Sequence, residues 1–193
     1  DERSRYLLVE NRKVENYVDM ALYYARMDAV YKDYMIAESN LQEVAQQVLL
    51  QNKYYLIQSH VKAEVACPDT VYSDKKWIAF ILNQLIQNSV KYGRSEGTHI
   101  QIVTKKTKSG VLLRVKDDGI GIPKEEIPRI FEKGFTGTNG RNRERSTGMG
   151  LYLCRKLCDK LNIEIRAESA EGKGTEIILM FPVSDYLTGY RET

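Results

Sequence analysis

The chain has 193 residues, of which 42% are hydrophobic and 28% charged, a composition typical of globular rather than disordered proteins. Its formal net charge of +3 is too small to indicate a nucleic-acid-binding surface, and no apolar run reaches the ~20 residues of a membrane-spanning helix. The cysteines Cys67, Cys154 and Cys158 have no histidine or second cysteine pair nearby to complete a zinc site, so we expect reduced core cysteines.

Residues 1–33 have the pattern of one long helix, uninterrupted by Gly or Pro. Six positions at alternating steps of four and three form a heptad seam: Leu7, Asn11, Val14, Val18, Ala21 and Ala25. A single helix cannot bury such a stripe alone, so we expect it to pack on its own domain or on a partner helix. Because the chain starts at Asp1 without methionine, we expect it to be a piece of a longer protein.

The rest of the chain alternates strand and helix patterns. The predicted strands are 34–37, 61–66, 71–72, 99–105, 111–116, 163–167 and 175–181. The predicted helices are 40–59, 74–92, 124–129 and 148–161, with Asn40 and either Ser73 or Asp74 as N-caps. This interleaving predicts an α/β two-layer sandwich, with a mixed sheet of about five strands and about three helices on one face. Residues 134–147 are rich in glycine and arginine without an apolar period, which predicts a mobile loop.

A carboxylate at the end of a predicted strand is followed by two glycines in the run from Lys116 to Pro123. Asp117 can only accept hydrogen bonds when it is ionised. Adenine offers it an amine donor, whereas guanine would oppose it with a second acceptor, so Asp117 would select ATP over GTP. Gly119 and Gly121 would let the loop pass close beneath the base.

The predicted helix 74–92 places Gln84, Asn88 and Lys91 on one face, at steps of four and three. An amide oxygen suits Mg²⁺, which prefers oxygen ligands and keeps several waters, so Asn88 is the candidate metal ligand. Lys91 would contact phosphate and Tyr92 would pack beside the nucleotide. The alternative is an amphipathic helix whose polar face simply meets solvent.

Two further glycine motifs follow. The run Ser146 to Leu151 opens a predicted helix, whose free N–H groups would seat a phosphate. Gly172 to Thr175 is a hairpin turn. Arginines in the predicted loop belong either to a lid over a triphosphate or to a solvated loop; they are Arg141, Arg143 and Arg145. No run has the spacing of a P-loop or of a complete dinucleotide-binding fingerprint.

With these four motifs in this order, the chain resembles the catalytic ATP-binding domain of sensor histidine kinases, in the group that includes DNA gyrase, the gyrase-like heat-shock chaperones and MutL. The run Ile130 to Phe135 is similar to that family's phenylalanine motif. The resemblance implies ATP and Mg²⁺ as cofactors, with Asn88 and, less directly, Gln84 as metal ligands. It implies these ATP-binding residues: Asn88, Lys91, Tyr92, Asp117, Gly119, Gly121, Ile122, Lys133, Phe135, Thr147, Gly148, Met149, Gly150, Leu151 and Thr175.

The same resemblance implies a domain organisation. Residues 1–33 would be the second helix of a dimerisation hairpin, 34–185 the ATP-binding domain and 186–193 a tail. His60 and His99 lack the family's phosphoacceptor motif, so we expect no catalytic residue within the chain and a phosphoacceptor histidine upstream of Asp1. The family often has asparagine where Gln84 stands.

Two rivals remain open. One is an ATP-hydrolysing clamp of the gyrase or chaperone type, which typically has a glutamate base at the position of Gln84; a glutamine cannot take up the proton. The other is a non-catalytic adaptor with the same fold, against which the intact Asp117, Asn88 and paired glycines argue.

The stretches 17–26 and 33–36 are similar to the intramembrane-sensing kinases that work beside peptide-antibiotic ABC transporters. This implies a homodimer through the N-terminal helix, a response regulator as phosphate acceptor, an ABC transporter as a further partner, and no nucleic acid. It also implies a cytoplasmic domain of a protein in the bacterial cell membrane.

Overall fold

The computed structural model describes residues 2–26, 34–138 and 147–183. The helices are α1 (Glu2–Arg26), α2 (Leu41–Gln51), α3 (Lys53–Gln58), α4 (Lys75–Lys91) and α5 (Gly150–Lys160). The strands are β1 (Ala37–Asn40), β2 (Val61–Ala66), β3 (Thr70–Ser73), β4 (Thr98–Thr107), β5 (Gly110–Asp117), β6 (Glu164–Ser169) and β7 (Thr175–Pro182). A 3-10 helix covers Ile127–Arg129.

The main sheet has five strands in the order β2-β4-β5-β7-β6. β2 runs parallel to β4, and the other neighbours are antiparallel. Alternate residues of the central strands are buried, including Ile100, Ile102, Leu113 and Val115, because successive side chains point to opposite faces of a sheet. Helices α2, α4 and α5 pack with this sheet. The predicted fold class and both predicted hairpins are therefore confirmed.

Helix α4 is central to the packing and contacts α2, α5, β4 and β5. Asp74 caps it: its side chain accepts hydrogen bonds from the backbone N–H groups of Lys76 and Trp77, which satisfies donors that a helix N-terminus leaves unpaired. Fully buried side chains on this helix include Ile81 and Leu85, and each contributes roughly 1.5–3 kcal/mol through the hydrophobic effect. Helix α4 therefore offers a rigid support for the polar residues on its remaining face.

The first predicted strand was misplaced by three residues. It was expected at 34–37 and lies at Ala37–Asn40, in a separate two-stranded antiparallel sheet with β3. The register pairs Ala37 with Ser73, and the buried Ser39 hydroxyl donates to the Ser73 carbonyl at 3.1 Å. Pairing with a distant strand, rather than local pattern, sets these bounds.

The helix predicted over 40–59 begins as expected, since the Asn40 side chain accepts a hydrogen bond from the Glu43 N–H at 3.1 Å. It is nevertheless two helices, α2 and α3, which meet at Asn52. Asn52 is fully buried, and its Nδ2 donates to the Val48 carbonyl and to Asn83 Oδ1, each at 2.8 Å. The asparagine side chain competes with the backbone for helical partners and interrupts the helix.

Two further bounds differ from prediction. The helix expected over 124–129 is reduced to the 3-10 helix Ile127–Arg129, because Pro128 has no backbone N–H with which to make an α-helical hydrogen bond. The helix expected from Gly148 begins at Gly150, since Gly148 adopts a positive φ of 65° that cannot continue an α-helix. The predicted loop over 134–147 lies mostly in residues 139–146, outside the described residues.

Helix α1 has two different apolar faces. On one face Met20 is buried, and the Tyr23 ring lies 4.7 Å from the Trp77 ring and 4.3 Å from the Phe80 ring, centroid to centroid. The heptad seam lies on the other face, where Leu7 and Val14 are 54% and 59% exposed. The helix therefore packs on its own domain without using its seam. The predicted continuation to residue 33 lies outside the described residues, and no described helix is long and apolar enough to cross a bilayer.

Candidate functional site

A cleft of about 330 Å³ opens between α4, the end of β5, the start of α5 and the inner face of α1. Most of the predicted site residues line it: Gln84, Asn88, Lys91, Tyr92, Asp117, Gly121, Ile122, Phe135, Thr147, Gly148, Gly150, Leu151 and Thr175. Three predicted residues do not line it: Gly119, Lys133 and Met149. The fold thus brings residues from all four motifs to one cavity.

Asp117 lies at the end of β5, and its carboxylate is hydrogen-bonded to other groups of the protein. Its Oδ1 accepts hydrogen bonds from the backbone N–H groups of Gly119 at 3.0 Å and Thr175 at 3.2 Å. Its Oδ2 accepts from the Ser89 hydroxyl at 2.8 Å. Burial raises the pKa of the Asp117 carboxyl, with a smaller contribution from Asp118, while these three hydrogen bonds oppose the rise. The carboxylate is fixed in orientation and little hydrated.

The loop after Asp117 is held from two sides. The Ile120 N–H donates to the Tyr92 carbonyl at 3.0 Å, and the Gly172 N–H donates to the Ile120 carbonyl at 2.7 Å. Gly121 has a φ of 72°, and a Cβ placed on it would come within 2.0 Å of the Ala170 carbonyl oxygen. Any side chain there would collide with backbone. This explains why the second glycine of the motif is needed, and why the loop lies against the turn before β7.

Gly119 lies beside the cleft, where it supports Asp117. A Cβ on Gly119 would lie 2.6 Å from the Tyr92 carbonyl oxygen and 2.9 Å from Asp117 Oδ1. The missing side chain lets the Gly119 N–H reach the carboxylate. This glycine therefore lets the loop approach α4 rather than the base.

Helix α4 contributes the polar residues on the opposite side. Asn88 and Lys91 line the cleft, and the Lys91 ammonium lies 5.5 Å from the centre of the Tyr92 ring. Gln84 is buried, with 4% of its surface exposed. Its Oε1 lies 3.0 Å from the point where a Cβ of Gly150 would stand, so its amide faces the first residue of α5. Gln84 thus presents an amide group near a helix N-terminus, whose first N–H groups have no helical partner, and Asn88 lines the same cleft.

The second glycine motif and the phenylalanine motif touch through their backbones. The Gly134 N–H donates to the Gly148 carbonyl at 3.1 Å, and a Cβ on Gly148 would lie 2.4 Å from the carbonyl carbon of Gly134. The Met149 N–H donates to Thr147 Oγ1 at 3.3 Å. The described residues on either side of 139–146 are therefore joined at the cleft. Ser146 and the three predicted lid arginines lie outside the described residues.

Lys133 was predicted to bind nucleotide but lies outside the cleft. Its ammonium donates to the Tyr24 hydroxyl and lies 4.8 Å from the centre of the Tyr24 ring. The hydrogen bond to Tyr24 raises the pKa of Lys133, so it remains charged. In contrast, Phe135 lines the cleft, with the Arg129 guanidinium 4.6 Å from its ring centre.

Several residues of the cleft were not predicted. Apolar side chains from α4, β5 and β7 form part of the lining: Leu85, Val115 and Ile177. Tyr17 and Met20 reach it from α1, which the heptad pattern alone did not indicate. Ser89 also lines it; a small polar residue beside Asn88 on a buried helix was a signal that could have been used.

The two histidines lie away from the cleft. His60 is in a turn with a φ of 53°, and His99 Nε2 lies 3.2 Å from Glu64 Oε1 at the start of β4. The three cysteines are buried and unpaired. Burial raises the pKa of Cys67 to about 11 and that of Cys158 to about 12, so these thiols stay protonated and unreactive.

Comparison with known proteins gives a consistent result. Residues 73–185 match the family model described as histidine kinase-, DNA gyrase B-, and HSP90-like ATPase. Sensor histidine kinase YxdK of Bacillus subtilis is 34% identical over 174 residues, covering 89% of this chain and 54% of that protein. Sensor protein kinase GraS of Staphylococcus aureus is 36% identical over 189 residues, covering 95% and 53%. The chain therefore spans about half the length of these curated relatives.

Solved structures agree on the fold. Full-length ShkA in complex with AMPPNP has a TM-score of 0.72 at 22% identity, covering 94% of this chain and 36% of that one. Histidine kinase ThkA in complex with the response regulator protein TrrA has a TM-score of 0.67 at 23% identity, covering 92% and 49%.

Proposed function

The chain belongs to the family of histidine kinase-, DNA gyrase B- and HSP90-like ATPases and carries the ATP-binding catalytic domain of a sensor histidine kinase, and on this premise we propose that the protein transfers the γ-phosphoryl group of ATP to a histidine outside this chain. The observation that carries the proposal is the cleft that joins the half-buried Asp117 to Asn88 and the start of α5. One end of it can recognise a base and the other a polyphosphate.

We define the adenine end of the cleft as Asp117 with Ser89, Gly119 and Thr175. The ionised Asp117 has acceptor capacity only, and it lines the cleft. It would accept a hydrogen bond from the exocyclic amine of adenine, whereas the carbonyl oxygen of guanine would meet it as a second acceptor. Val115 and Ile177 supply apolar contact for the ring.

We define the phosphate end as Gln84, Asn88, Lys91 and Gly150. The side-chain oxygen of Asn88 would hold Mg²⁺, and Gln84 is the second candidate ligand, because Mg²⁺ takes oxygen ligands together with phosphates and water. When bound, the metal neutralises developing charge on the phosphates. Lys91 would contact a phosphate directly, and the N–H groups at the start of α5 would hold another.

The chemistry of transfer needs no nucleophile from this chain. Phosphoryl transfer is catalysed mainly by positioning and charge neutralisation, which the phosphate end can provide. His60 and His99 lie away from the cleft and outside its lining, which supports a phosphoacceptor elsewhere in the protein. Gln84 at the position of a hydrolase base cannot accept a proton from water, which favours transfer over the rival ATP-hydrolysing clamp.

Partners follow from the same premise. The exposed seam of α1, with Leu7 and Val14 facing solvent, would pair with helices of a dimeric bundle. A response regulator would receive the phosphate, as the named complex of ThkA with TrrA suggests. From the resemblance of residues 17–26 and 33–36 to the intramembrane-sensing kinases, we also propose a peptide-antibiotic ABC transporter as partner and attachment of the full-length protein to the bacterial cell membrane.

The decisive experiment titrates the chain with ATP and GTP in the presence of Mg²⁺ and follows γ-labelled ATP. We expect ATP binding in preference to GTP, little self-labelling and little phosphate release. Label should appear when the chain is extended upstream to include the missing helix. Steady phosphate release by the chain alone would favour the ATP-hydrolysing clamp. Acid-labile label on His60 or His99 would place the phosphoacceptor inside the chain. Absence of nucleotide binding would favour the non-catalytic adaptor.

A further inference from the structure

Ser89 lies on α4 directly after the proposed metal ligand Asn88. It lines the cleft, yet it is only 5% exposed, and its hydroxyl donates to Asp117 Oδ2 at 2.8 Å. This hydrogen bond joins the helix that carries the phosphate end to the strand that carries the adenine end. It crosses 28 residues of sequence.

The hydrogen bonds at Asp117 can be counted oxygen by oxygen. An ionised carboxylate has about four acceptor sites, two on each oxygen. On Oδ1 both sites are used, by the N–H groups of Gly119 and Thr175. On Oδ2 the Ser89 hydroxyl takes one site. The fourth site, on Oδ2, is what the carboxylate can offer to a ligand in the cleft.

The two oxygens therefore have different partners. Gly119 and Thr175 both donate to Oδ1, whereas Oδ2, the oxygen with a site left for a ligand, accepts from Ser89. Rotation of the carboxylate about its Cβ–Cγ bond would move both oxygens, so all three hydrogen bonds oppose it. Without Ser89, Oδ2 would lose its protein donor, and the carboxylate would be held less firmly in the direction in which it meets a base.

We infer that Ser89 is a positioning residue for base recognition, which acts by holding Asp117 Oδ2 towards the exocyclic amine of adenine. The inference rests on the proposed function and deepens it, because it names the residue that sets the strength of adenine selection. Ser89 itself does not touch the nucleotide in this account.

The test uses Ser89→Ala in the 193-residue chain, with ATP and inosine triphosphate as probes. Inosine triphosphate has the same phosphates and a carbonyl oxygen in place of the adenine amine. Alanine is a better helix former than serine, so α4 stays intact. We expect the affinity for ATP to fall by roughly three- to tenfold, the loss of one hydrogen bond, while the affinity for inosine triphosphate stays the same.

The matched control is Ser39→Ala. Ser39 is also buried with its hydroxyl bonded inside the protein, but it belongs to β1 and does not line the cleft. Its ratio of ATP to inosine triphosphate affinity should equal that of the wild type.

Two results would overturn the inference: an unchanged ratio in Ser89→Ala, or an equal loss for both nucleotides, which would mean that the hydroxyl only supports the cleft. A wild-type chain that binds neither nucleotide would overturn the proposed function as well, so the two failures are distinguishable.

Discussion

The adenine end and the phosphate end of the cleft are built in different ways. At the adenine end Asp117 has three protein donors, at 2.8, 3.0 and 3.2 Å, and its loop is bonded to α4 and to the turn before β7. At the phosphate end, the Lys91 ammonium lies over the Tyr92 ring, and outside the cleft the Lys133 ammonium donates to the Tyr24 hydroxyl. If the cleft binds ATP as proposed, Asp117 is already held in place for the base, whereas Lys91 would leave the Tyr92 ring to meet a phosphate.

The difference has a physical reason. A carboxylate that is largely withdrawn from water is costly unless it is hydrogen-bonded, so the protein donors around the half-buried Asp117 hold it in place whether or not a base is bound. Lysine ammonium groups remain hydrated at the surface and can move between partners at small cost. Mutations at the adenine end should therefore change selectivity, and mutations at the phosphate end should change metal-dependent chemistry.

The largest expected effect is at the phosphate end. Asn88→Leu should reduce phosphoryl transfer, measured with γ-labelled ATP in a chain extended upstream, to the level seen without Mg²⁺. The reason is that leucine offers no oxygen to the metal. Nucleotide affinity without metal, and the melting temperature, should stay near wild type and serve as internal controls. Full transfer activity in this variant would remove Asn88 from the metal site.

At the adenine end, Asp117→Asn should weaken ATP binding by about ten- to a hundredfold. It replaces a charge-assisted acceptor, worth roughly 1.5–3 kcal/mol, by an amide that can turn a donor to the adenine amine. Calorimetry measures the affinity. The control is Asp118→Asn, because Asp118 accepts from the His99 N–H and does not line the cleft. If both variants bind ATP equally well, Asp117 does not read the base.

Lowering the pH should imitate that substitution. Since burial raises the pKa of Asp117, the preference for ATP over inosine triphosphate should fall as the pH drops through that raised pKa, and this should occur above the usual carboxyl range of about 3.9. Folding responds with the opposite sign: the Asp117 contribution is present below the unfolded-state pKa and is lost as the pH rises through the folded-state pKa.

The measurement is the affinity ratio of the two nucleotides across the acidic range, which cancels titration of the shared phosphates. Asp117→Asn should abolish this pH dependence. If the affinity ratio in the wild type is also independent of pH across this range, Asp117 does not control the preference for ATP through its ionisation.

The smallest effect concerns Lys133. Tyr24→Phe removes the hydroxyl that accepts from the Lys133 ammonium but keeps the ring beneath it. If Lys133 binds ATP after leaving Tyr24, the affinity should rise, on the order of twofold, as expected for an exposed polar contact. Tyr54→Phe, on an exposed tyrosine of α3 outside the cleft, is the control. A decrease in affinity in Tyr24→Phe alone would mean that the contact supports binding.

The sequence alone was sufficient to predict those features that depend on residues close to one another in the chain. Alternation of apolar residues located the five strands of the main sheet, because the side-chain period of a strand is fixed. The Asn40 cap and the Asp-Gly motif could be predicted from the sequence because their hydrogen bonds span only two or three residues. The residue types at Asp117, Asn88 and Gly150 were enough to predict a nucleotide site. They offer a hydrogen-bond acceptor for a base, an amide oxygen for a metal and a backbone N–H for a phosphate, respectively.

Only the tertiary structure decided what depends on distant partners. Ser89 reaches Asp117 across 28 residues, Asn52 reaches Asn83 across 31, and Lys133 reaches Tyr24 across 109. The neighbouring sequence does not indicate such pairs, because the two side chains come within hydrogen-bonding distance only in the folded protein. For that reason only the tertiary structure shows four features: the break between α2 and α3, the bounds of β1, the position of Lys133 outside the cleft and the role inferred for Ser89.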